Sequence, residues 1–400
     1  MDYQKLSIQN ILTLRYDLTN NSNLDQITSK NFSPKFSVDK FKIKNFLKNT
    51  ILNNLASTPD VAIALSGGVD STLLLSLSKE FLPDHKIIAL TVTFPQSEDE
   101  SKSASNIASY FDIEHKTIHI ENFLKDLPSA ISILKAPYYD VMNWYYLVKN
   151  ASSLSKFLLT GDGADEIFGG YTFRYSKFLN SLSLSSSPLE KTKKYLECHE
   201  RDWVPDQEEI FAENLPFSWD QIYENILPFF DNSLDPLDQL FLADYNGKLS
   251  HNFVPNYQKF YDFFKISSIT PFVDSSLIEY AFHLDHNDKY DPSKNIGKLP
   301  LRELVPSNVS ELLYPKSKQG FAVNTVALWE LYGKEICQQY LFDSKIVKAK
   351  HISQDWISKH LTKIDYDKDV RYINKLFSLL AYEIWYRLFI TKDMNGNETL

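Results

Sequence analysis

"VAIALSGGVDSTLLLSL", residues 61–77, places a short apolar run, a polar turn and a second apolar run in immediate succession. The first run, residues 61–65, has the length and composition of a buried strand, and residues 71–81 have those of a helix. The two adjacent glycines between them allow positive φ angles and close contact between bare backbone and a ligand. The stretch therefore predicts a strand that ends in a tight, accessible turn before a helix.

A second stretch, "FLLTGDGADEIFGGY" at residues 157–171, repeats the arrangement, and the two stretches together hold six of the 11 glycines in the 400-residue chain. Three acidic residues, Asp162, Asp165 and Glu166, fall within five positions. Carboxylates this close repel one another unless a cation or a basic group lies among them. The alternative is an ordinary acidic loop whose charges complement a helix dipole.

Short apolar runs alternate with helical patterns around the two turns. The predicted strands are residues 61–65, 86–94, 115–120 and 156–160, and the predicted helices are residues 38–56, 71–81, 101–111 and 141–154. This alternation predicts an α/β fold with a parallel sheet and helices on both of its faces.

The two ends of the chain have different patterns from this centre. Residues 1–40 are polar and weakly patterned, and residues 20–34 are interpreted as an extended lead-in. Beyond about residue 172 the strand signal fades, and residues 236–264 and 371–390 have helical patterns. We expect three parts, which are a lead-in and helix (1–57), an α/β core (58–175) and a mostly helical part (176–400).

Composition excludes several classes of protein. The formal net charge of −9 argues against a nucleic-acid groove, which needs a concentrated basic face. Cys198 and Cys337 stand alone and suggest neither a disulfide framework nor a zinc site. The N-terminus lacks the pattern of a signal peptide, and the apolar runs are shorter than a membrane span requires. We expect a soluble, cytoplasmic protein with no nucleic-acid or membrane partner.

The first turn has the chemistry of an anion site. Successive backbone N–H groups in Ser-Gly-Gly form a nest, and the following helix N-terminus adds partial positive charge. Ser66, Ser71 and Thr72 supply hydroxyl groups, and Asp70 supplies a hard oxygen suited to Mg²⁺. The turn matches neither the P-loop nor the dinucleotide fingerprint. A helix N-cap with permissive glycines is the alternative.

"SGGVDS" after a strand resembles the PP-loop of enzymes that cut ATP between its α and β phosphates. Together with "TGDGADEIFGGY" (160–171), it resembles the synthetase domain of class B asparagine synthetases, from about residue 40 to the last helix. The resemblance implies a PP-loop α/β core with a mostly helical C-terminal part, and ATP with Mg²⁺ as cofactors. It implies that Asp70 and Asp165 hold the Mg²⁺.

The resemblance also implies further site residues. Those expected to bind ATP are Leu65, Ser66, Gly67, Gly68, Asp70, Ser71, Val92, Thr160 and Gly161. Those expected to bind the substrate are Asp162, Gly163, Glu166 and Lys298. Those expected to act in catalysis are Lys318, Asp162 and Arg302. Lys298 and Arg302 lie in "GKLPLRELVP" (297–306) and Lys318 in "YPKSKQGFAVN" (314–324), which without the family is an exposed basic loop.

The chain departs from the family pattern in two regions. The family's N-terminal glutaminase domain, with its cysteine nucleophile, has no counterpart in the roughly 60 residues before the PP-loop. A family Asp-Arg pair becomes Gln258-Lys259, and a Glu and an Arg become Ser267 and Ile269. The aromatic residues of this region suggest a larger or more apolar acceptor than aspartate, or else core packing; they are Tyr257, Phe260, Tyr261, Phe263 and Phe264.

These resemblances imply an ATP-dependent, AMP-forming amide ligase that adenylates a small-molecule or peptide carboxylate. The nitrogen is expected from ammonia, from a separate glutaminase subunit or from an amine. Two alternatives remain, an amine-using or intramolecular cyclase like the β-lactam-forming and lasso-peptide-cyclising relatives, and a catalytically silent nucleotide-binding scaffold.

Overall fold

A computed structural model describes residues 2–96, 100–313 and 323–400. Its main sheet has five parallel strands in the order β3-β2-β1-β4-β5. These strands are β1 (Asp60–Ala64), β2 (Lys86–Thr93), β3 (Glu114–His119), β4 (Phe157–Leu159) and β5 (Ser267–Ile269). A small antiparallel hairpin consists of β6 (Tyr290–Asp291) and β7 (Ile296–Gly297). The predicted parallel α/β sheet is thus confirmed.

Helices supply most of the remaining structure. Those up to the second glycine turn are α1 (Asp2–Leu14), α2 (Lys40–Leu55), α3 (Val69–Phe81), α4 (Glu100–Tyr110), α5 (Leu127–Leu134), α6 (Met142–Ala151) and α7 (Ala164–Phe168). Those after it are α8 (Thr172–Ser181), α9 (Pro188–Glu197), α10 (Trp219–Ile226), α11 (Pro236–Asp244), α12 (Val254–Phe264), α13 (Ser275–His283), α14 (Leu299–Leu304), α15 (Ser307–Ser310), α16 (Thr325–Leu328), α17 (Lys334–Leu341), α18 (Lys345–Lys348), α19 (Gln354–Asp367) and α20 (Val370–Tyr386). Helices α11 and α12 are joined by a π-helical segment, Tyr245–Phe253. The part after residue 176 is therefore mostly helical, as predicted.

Alternate side chains of the central strand β1 enter two different hydrophobic cores. Val61 and Ile63 belong to the core on one face of the sheet, and Ala62 belongs to the core on the other. All three are completely buried. A parallel strand covered on both faces needs a continuous apolar run, which is why residues 61–65 could be recognised as a strand.

The N-terminal residues contain a helix that their weak pattern did not reveal. Helix α1 is 13 residues long, and Ile8, Ile11 and Leu12 bury their side chains in the core that also contains α20. The buried ammonium of Lys375, on α20, donates a hydrogen bond to the carbonyl oxygen of Leu12 at 2.7 Å. Tertiary packing therefore supports the last turn of a helix with little amphipathic signal of its own.

The fifth strand comes from the region where the strand signal was expected to have ended. In β5, Ile269 pairs with Leu159 of β4, and among its three residues only Ile269 is fully buried. An edge strand this short has no room for an alternating pattern. The expectation that the strands end near residue 172 was therefore wrong for β5. The boundaries at residues 57 and 175 remain predictions.

Within the described ranges, no helix has both the length and the apolar character needed to cross a membrane.

Candidate active site

The two glycine turns lie side by side because β1 is the direct neighbour of β4. Ile63 of β1 pairs with Leu159 of β4, so both strands deliver their turns to the same edge of the sheet. A Cβ placed on Gly161 would lie 3.1 Å from the Cβ of Asp70. Ligands of open parallel sheets bind at this carboxyl edge. The structure thus joins the two sequence motifs into one site.

The first turn is shaped by glycine and closed by its own serines. Gly67 has a φ of +72° and packs against Ser103 of α4. The backbone N–H of Ser66 donates to Ser71 Oγ at 3.2 Å, and that of Gly68 donates to Ser66 Oγ at 3.3 Å. Gly68 is the N-cap of α3, a helix of 13 residues. The N-terminus of α3 therefore lies at this edge of the sheet, as an anion site requires, and the two named backbone donors are held by serine hydroxyls.

Two further residues expected to contact ATP lie deep beside this turn. The N–H of Leu65 donates to Leu90 O at 2.9 Å, and its carbonyl oxygen accepts a hydrogen bond from Thr91 Oγ1 at 2.6 Å. Val92 is almost fully buried near the end of β2. The backbone of Leu65 is therefore committed to the protein, and contacts of Leu65 and Val92 with the nucleotide remain predictions.

The second turn holds Asp162 near the sheet edge. Gly163 has a φ of +93°, and a Cβ there would lie 2.9 Å from Val273 Cγ1, so a side chain is excluded by conformation and by space. Thr160 Oγ1 donates to Asp162 Oδ2 at 3.0 Å and lies 3.3 Å from Thr270 Oγ1. The Asp162 carboxylate is thus oriented by a buried threonine at the end of β4.

Lys298 lies between the two carboxylates expected to bind the metal. Its Nζ is 2.5 Å from Asp70 Oδ2 and 2.6 Å from Asp165 Oδ1. Lys298 directly follows β7 of the small hairpin. The backbone N–H of Lys298 donates a hydrogen bond to Phe168 O at 2.9 Å, which holds the lysine beside the second turn. The sequence analysis assigned Lys298 to the substrate, and the structure places it on the proposed metal ligands. Any role toward the substrate remains a prediction.

The donor set of Asp70 and Asp165 fits a divalent cation. Among the described residues, Asp70 Oδ1 is buried and has no hydrogen-bond partner, which is costly for a carboxylate oxygen. The two aspartates already converge on one positive charge, and carboxylate oxygens are the ligands that Mg²⁺ prefers. The residues present therefore suit Mg²⁺, although their role as its ligands remains a prediction.

Glu166 is buried and Arg302 is half-buried beside these groups. Burial and the nearby Asp165 raise the pKa of Glu166 to about 8, and Glu166 Oε1 accepts a hydrogen bond from the Tyr171 hydroxyl at 2.5 Å. The guanidinium of Arg302 donates through Nε to Gly297 O at 2.9 Å. Burial lowers the pKa of Arg302, and the charge of Asp70 opposes this decrease. Their expected roles toward substrate and catalysis remain predictions.

An aromatic wall, defined here as Trp144, Tyr257 and Tyr261, flanks Asp162. The Trp144 and Tyr257 rings stack with centroids 4.3 Å apart, and Trp144 Nε1 donates to the Tyr261 hydroxyl at 2.8 Å. Burial raises the pKa of both tyrosines well above the ordinary value, and the negative charge of Asp162 adds to the rise. Both tyrosines stood out in the sequence, whereas Trp144 did not, because helix α6 contains no motif that marks a functional residue.

The other aromatic residues of α12 have different surroundings. Phe260 is fully buried in the core, whereas Phe263 is 60% exposed. Lys259, at the position of the family arginine, donates through Nζ to Leu134 O at 2.8 Å. Lys259 thus interacts with the C-terminal end of helix α5. Core packing therefore accounts for Phe260 and equally for Tyr257 and Tyr261, which lie in the same core.

Lys318, the expected catalytic lysine, lies outside the described residues. Described residues on both sides of it form hydrogen bonds with residues of the α/β part of the chain. Leu312 O accepts a hydrogen bond from Ser103 Oγ at 2.6 Å, and Asn324 Nδ2 donates to Gln96 O at 3.0 Å. The role of Lys318 remains a prediction.

Comparison with known proteins assigns the family. The family model described as asparagine synthase matches residues 42–387. The chain belongs to the asparagine synthase family. The glutamine-hydrolyzing asparagine synthetase 1 of Bacillus subtilis is 24% identical over 404 residues, which cover 90% of this chain and 62% of that protein. The glutamine-hydrolyzing asparagine synthetase B of Escherichia coli is 25% identical over 174 residues, covering 38% of this chain and 31% of that protein.

This member of the asparagine synthase family spans about three fifths of the length of its Bacillus subtilis relative. Among solved structures, an NMN synthetase from Francisella tularensis is 16% identical and matches 57% of this chain and 94% of its own, with a TM-score of 0.26. At that TM-score the likeness supports no conclusion about this chain.

Proposed function

We propose that this asparagine synthase family member is an ATP-dependent ligase that adenylates a carboxylate and converts the acyl-adenylate into an amide. The convergence of Asp70 and Asp165 on one positive charge, at 2.5 and 2.6 Å, carries the proposal. It supports a single cation-dependent phosphate site built from both motifs. Family membership is consistent with an ATP-using synthetase.

The first turn is proposed to hold the phosphate chain of the substrate ATP. The backbone N–H groups after β1 and the N-terminus of α3 would bind the phosphates that leave as pyrophosphate. Asp70 and Asp165 would hold Mg²⁺, which neutralises charge on the phosphates when it is bound. The N–H groups of Ser66 and Gly68 donate to serine hydroxyls, so phosphate binding would exchange these hydrogen bonds for bonds to phosphate oxygens.

The proposed reaction has two steps. A carboxylate oxygen of the substrate attacks the α-phosphorus, the bond from that phosphorus to the bridging oxygen breaks, and pyrophosphate leaves. Ammonia or an amine then attacks the acyl carbon, the carbon–oxygen bond to AMP breaks, and the nitrogen loses a proton. Asp162, which accepts a hydrogen bond from Thr160, is proposed to orient the nucleophile and accept that proton. Lys318 is proposed to stabilise the charged transition states.

The acceptor is proposed to be larger or more apolar than aspartate. The charge of Asp162 contributes to the raised pKa of Tyr257 and Tyr261 in the aromatic wall. The Tyr261 hydroxyl accepts a hydrogen bond from Trp144. Trp144 and Phe253 stack on Tyr257, so the protein itself covers these ring faces. The loss of the family charges at Gln258, Lys259, Ser267 and Ile269 is what favours the second candidate function, an amine-using or intramolecular cyclase, over a simple asparagine synthetase.

ATP–pyrophosphate exchange over a panel of carboxylic acids tests the adenylation step. The panel includes aspartate, aromatic amino acids and peptides with a free side-chain carboxylate. We expect exchange with at least one acid, and its loss in Asp70→Asn; Asp84→Asn changes an exposed acid and serves as the matched control. Full exchange in Asp70→Asn would refute the metal assignment, and no exchange with any acid would favour a silent scaffold.

Product analysis separates the two candidate functions. We incubate the active acid with ATP and ammonium, with or without primary amines, and identify the product by mass spectrometry. Amide formation from aspartate and ammonium would support an asparagine synthetase and contradict the larger acceptor. Loss of one water from a single substrate, without added amine, would support the intramolecular cyclase.

A further inference from the structure

The conformation and packing of the backbone at residues 297 and 298 hold the Lys298 side chain against the two aspartates. Lys298 is 4% exposed and adopts a left-handed backbone conformation with a φ of +58°, which is uncommon for a residue with a side chain. Gly297, just before it, packs so closely that an added Cβ would lie 1.8 Å from Gly169 O. The hairpin therefore presses the lysine against the second turn.

The second turn leaves space for this contact only because it ends in glycine. A Cβ on Gly170 would lie 1.7 Å from Asp165 Oδ1 and 2.5 Å from Lys298 Cε. Any side chain at residue 170 would displace the carboxylate or the lysine. Both turns and the hairpin thus cooperate to hold one ammonium group between two carboxylates.

The Asp70 carboxylate has one oxygen left over at this point. Its Oδ2 contacts the ammonium group of Lys298, whereas its Oδ1 is buried without a hydrogen-bond partner among the described residues. A divalent cation could use that oxygen. It would compete for the two oxygens that Nζ contacts, and like charges a few ångströms apart repel strongly in a buried site.

We propose that Lys298 is a stand-in cation, which holds Asp70 and Asp165 together before the metal binds and leaves them when it binds. The inference rests on the proposed function, because it takes these aspartates as the metal ligands. Before the metal binds, the ammonium group of Lys298 prevents the two carboxylates from repelling each other and moving apart. It also weakens binding of the metal alone, so that metal delivered with nucleotide phosphates binds in preference to free metal.

The first test measures metal binding without nucleotide. Mn²⁺ is titrated into wild type and Lys298→Met, and free Mn²⁺ is followed by electron paramagnetic resonance. We expect Lys298→Met to bind Mn²⁺ at least about tenfold more tightly, because a competing charge is gone. Lys294→Met, an exposed lysine of the same hairpin, is the matched control and should bind as wild type does. Equal or weaker binding by Lys298→Met would overturn the proposal.

Thermal stability gives a second readout on the same variants. In EDTA, Lys298→Met should melt below wild type, because the buried Asp70 and the half-buried Asp165 then lose the ammonium group that both contact. Added MgCl₂ should restore most of its Tm and change that of wild type little. A Lys298→Met protein whose Tm in EDTA equals that of wild type would contradict the stand-in role.

A labelling experiment on wild type keeps the inference testable even if Lys298→Met does not fold. Lysine acetylation by an N-hydroxysuccinimide ester is quantified by mass spectrometry in EDTA and in MgCl₂ at a concentration that saturates the site, because the proposal itself expects free metal to bind wild type weakly. We expect Mg²⁺ to increase acetylation of Lys298, while exposed Lys294 reacts equally in both and buried Lys289 remains protected in both. Unchanged or decreased labelling of Lys298 would overturn the proposal.

The outcomes separate this inference from the proposed function. If Mn²⁺ binds wild type and Lys298→Met equally and Asp70→Asn abolishes both, the metal assignment stands and the stand-in role fails. If Asp70→Asn leaves Mn²⁺ binding to Lys298→Met unchanged, Asp70 is not a metal ligand and both fail.

Discussion

Replacing Gly67 by alanine tests whether the first turn requires a residue without a side chain. Gly67 has a φ of +72°, and an alanine Cβ would lie 2.8 Å from Ser103 Oγ and 2.9 Å from Ser103 Cβ. A left-handed conformation costs an L-residue about 1–2 kcal/mol, and forcing an atom into a packed contact costs about 1–3 kcal/mol. We expect Gly67→Ala to lower the free energy of unfolding by about 2–5 kcal/mol.

Gly68→Ala is the matched control for this substitution. Gly68 has a φ of −78°, and an added Cβ would meet Ser66 Oγ at 3.3 Å. Alanine is compatible with this backbone, so we expect the free energy of unfolding to change by less than about 1 kcal/mol. Both variants are compared by urea unfolding followed by circular dichroism.

The Ser103→Gly background divides the cost of Gly67→Ala into its two causes. Without the serine side chain the two closest contacts disappear and only the one with Ala104 N at 3.2 Å remains, so the cost should fall towards the conformational cost of about 1–2 kcal/mol. A Gly67→Ala protein as stable as Gly68→Ala would refute the reasoning. A cost that is the same in both backgrounds would show that Ser103 is not its source.

Three further predictions concern other parts of the molecule. Gly170→Ala should displace the Asp165 carboxylate, because the added Cβ would lie 1.7 Å from Asp165 Oδ1. ATP–pyrophosphate exchange should then fall at least about tenfold, while the circular dichroism spectrum stays unchanged. Full exchange would show that this carboxylate is dispensable. Burial lowers the pKa of Lys375 to about 7, so the folded protein releases this proton earlier than the unfolded chain and the wild type gains stability as pH rises from about 7 towards 10. The free energy of unfolding of wild type minus that of Lys375→Met should therefore increase between about pH 6.5 and 9, and a constant difference would contradict this. Asp238, whose Oδ2 lies 3.4 Å from His286 Nδ1, raises the pKa of His286. This contribution is complete below about pH 6.5 and lost as pH rises through the folded pKa, so His286→Gln should cost more stability at about pH 5.5 than at pH 8.5; equal costs would contradict it.

Local patterns sufficed for the elements whose signal is local. Residues 61–65 are apolar without interruption because β1 is covered on both faces, and this requirement is visible in the sequence. The glycines at positions 67 and 163 mark turns because both have positive φ, a conformation that other residues rarely adopt. The prediction that two strand ends share one site followed from the usual location of ligands in parallel sheets.

Contacts between distant residues required the tertiary structure. The three residues of β5 join the sheet through pairing with β4, and α1 is supported by packing against α20, although neither segment has a strong pattern of its own. Lys298 reaches Asp70 across 228 positions, and Trp144 reaches Tyr261 across 117.

By itself, the sequence determined the parallel core, its two glycine turns and the residue types gathered there, because strand burial and backbone conformation restrict the residue at each position. Only the tertiary structure decided which charge lies between Asp70 and Asp165 and which rings flank Asp162. Such contacts depend on how whole elements pack, and no local pattern encodes the partner of a side chain more than a hundred residues away.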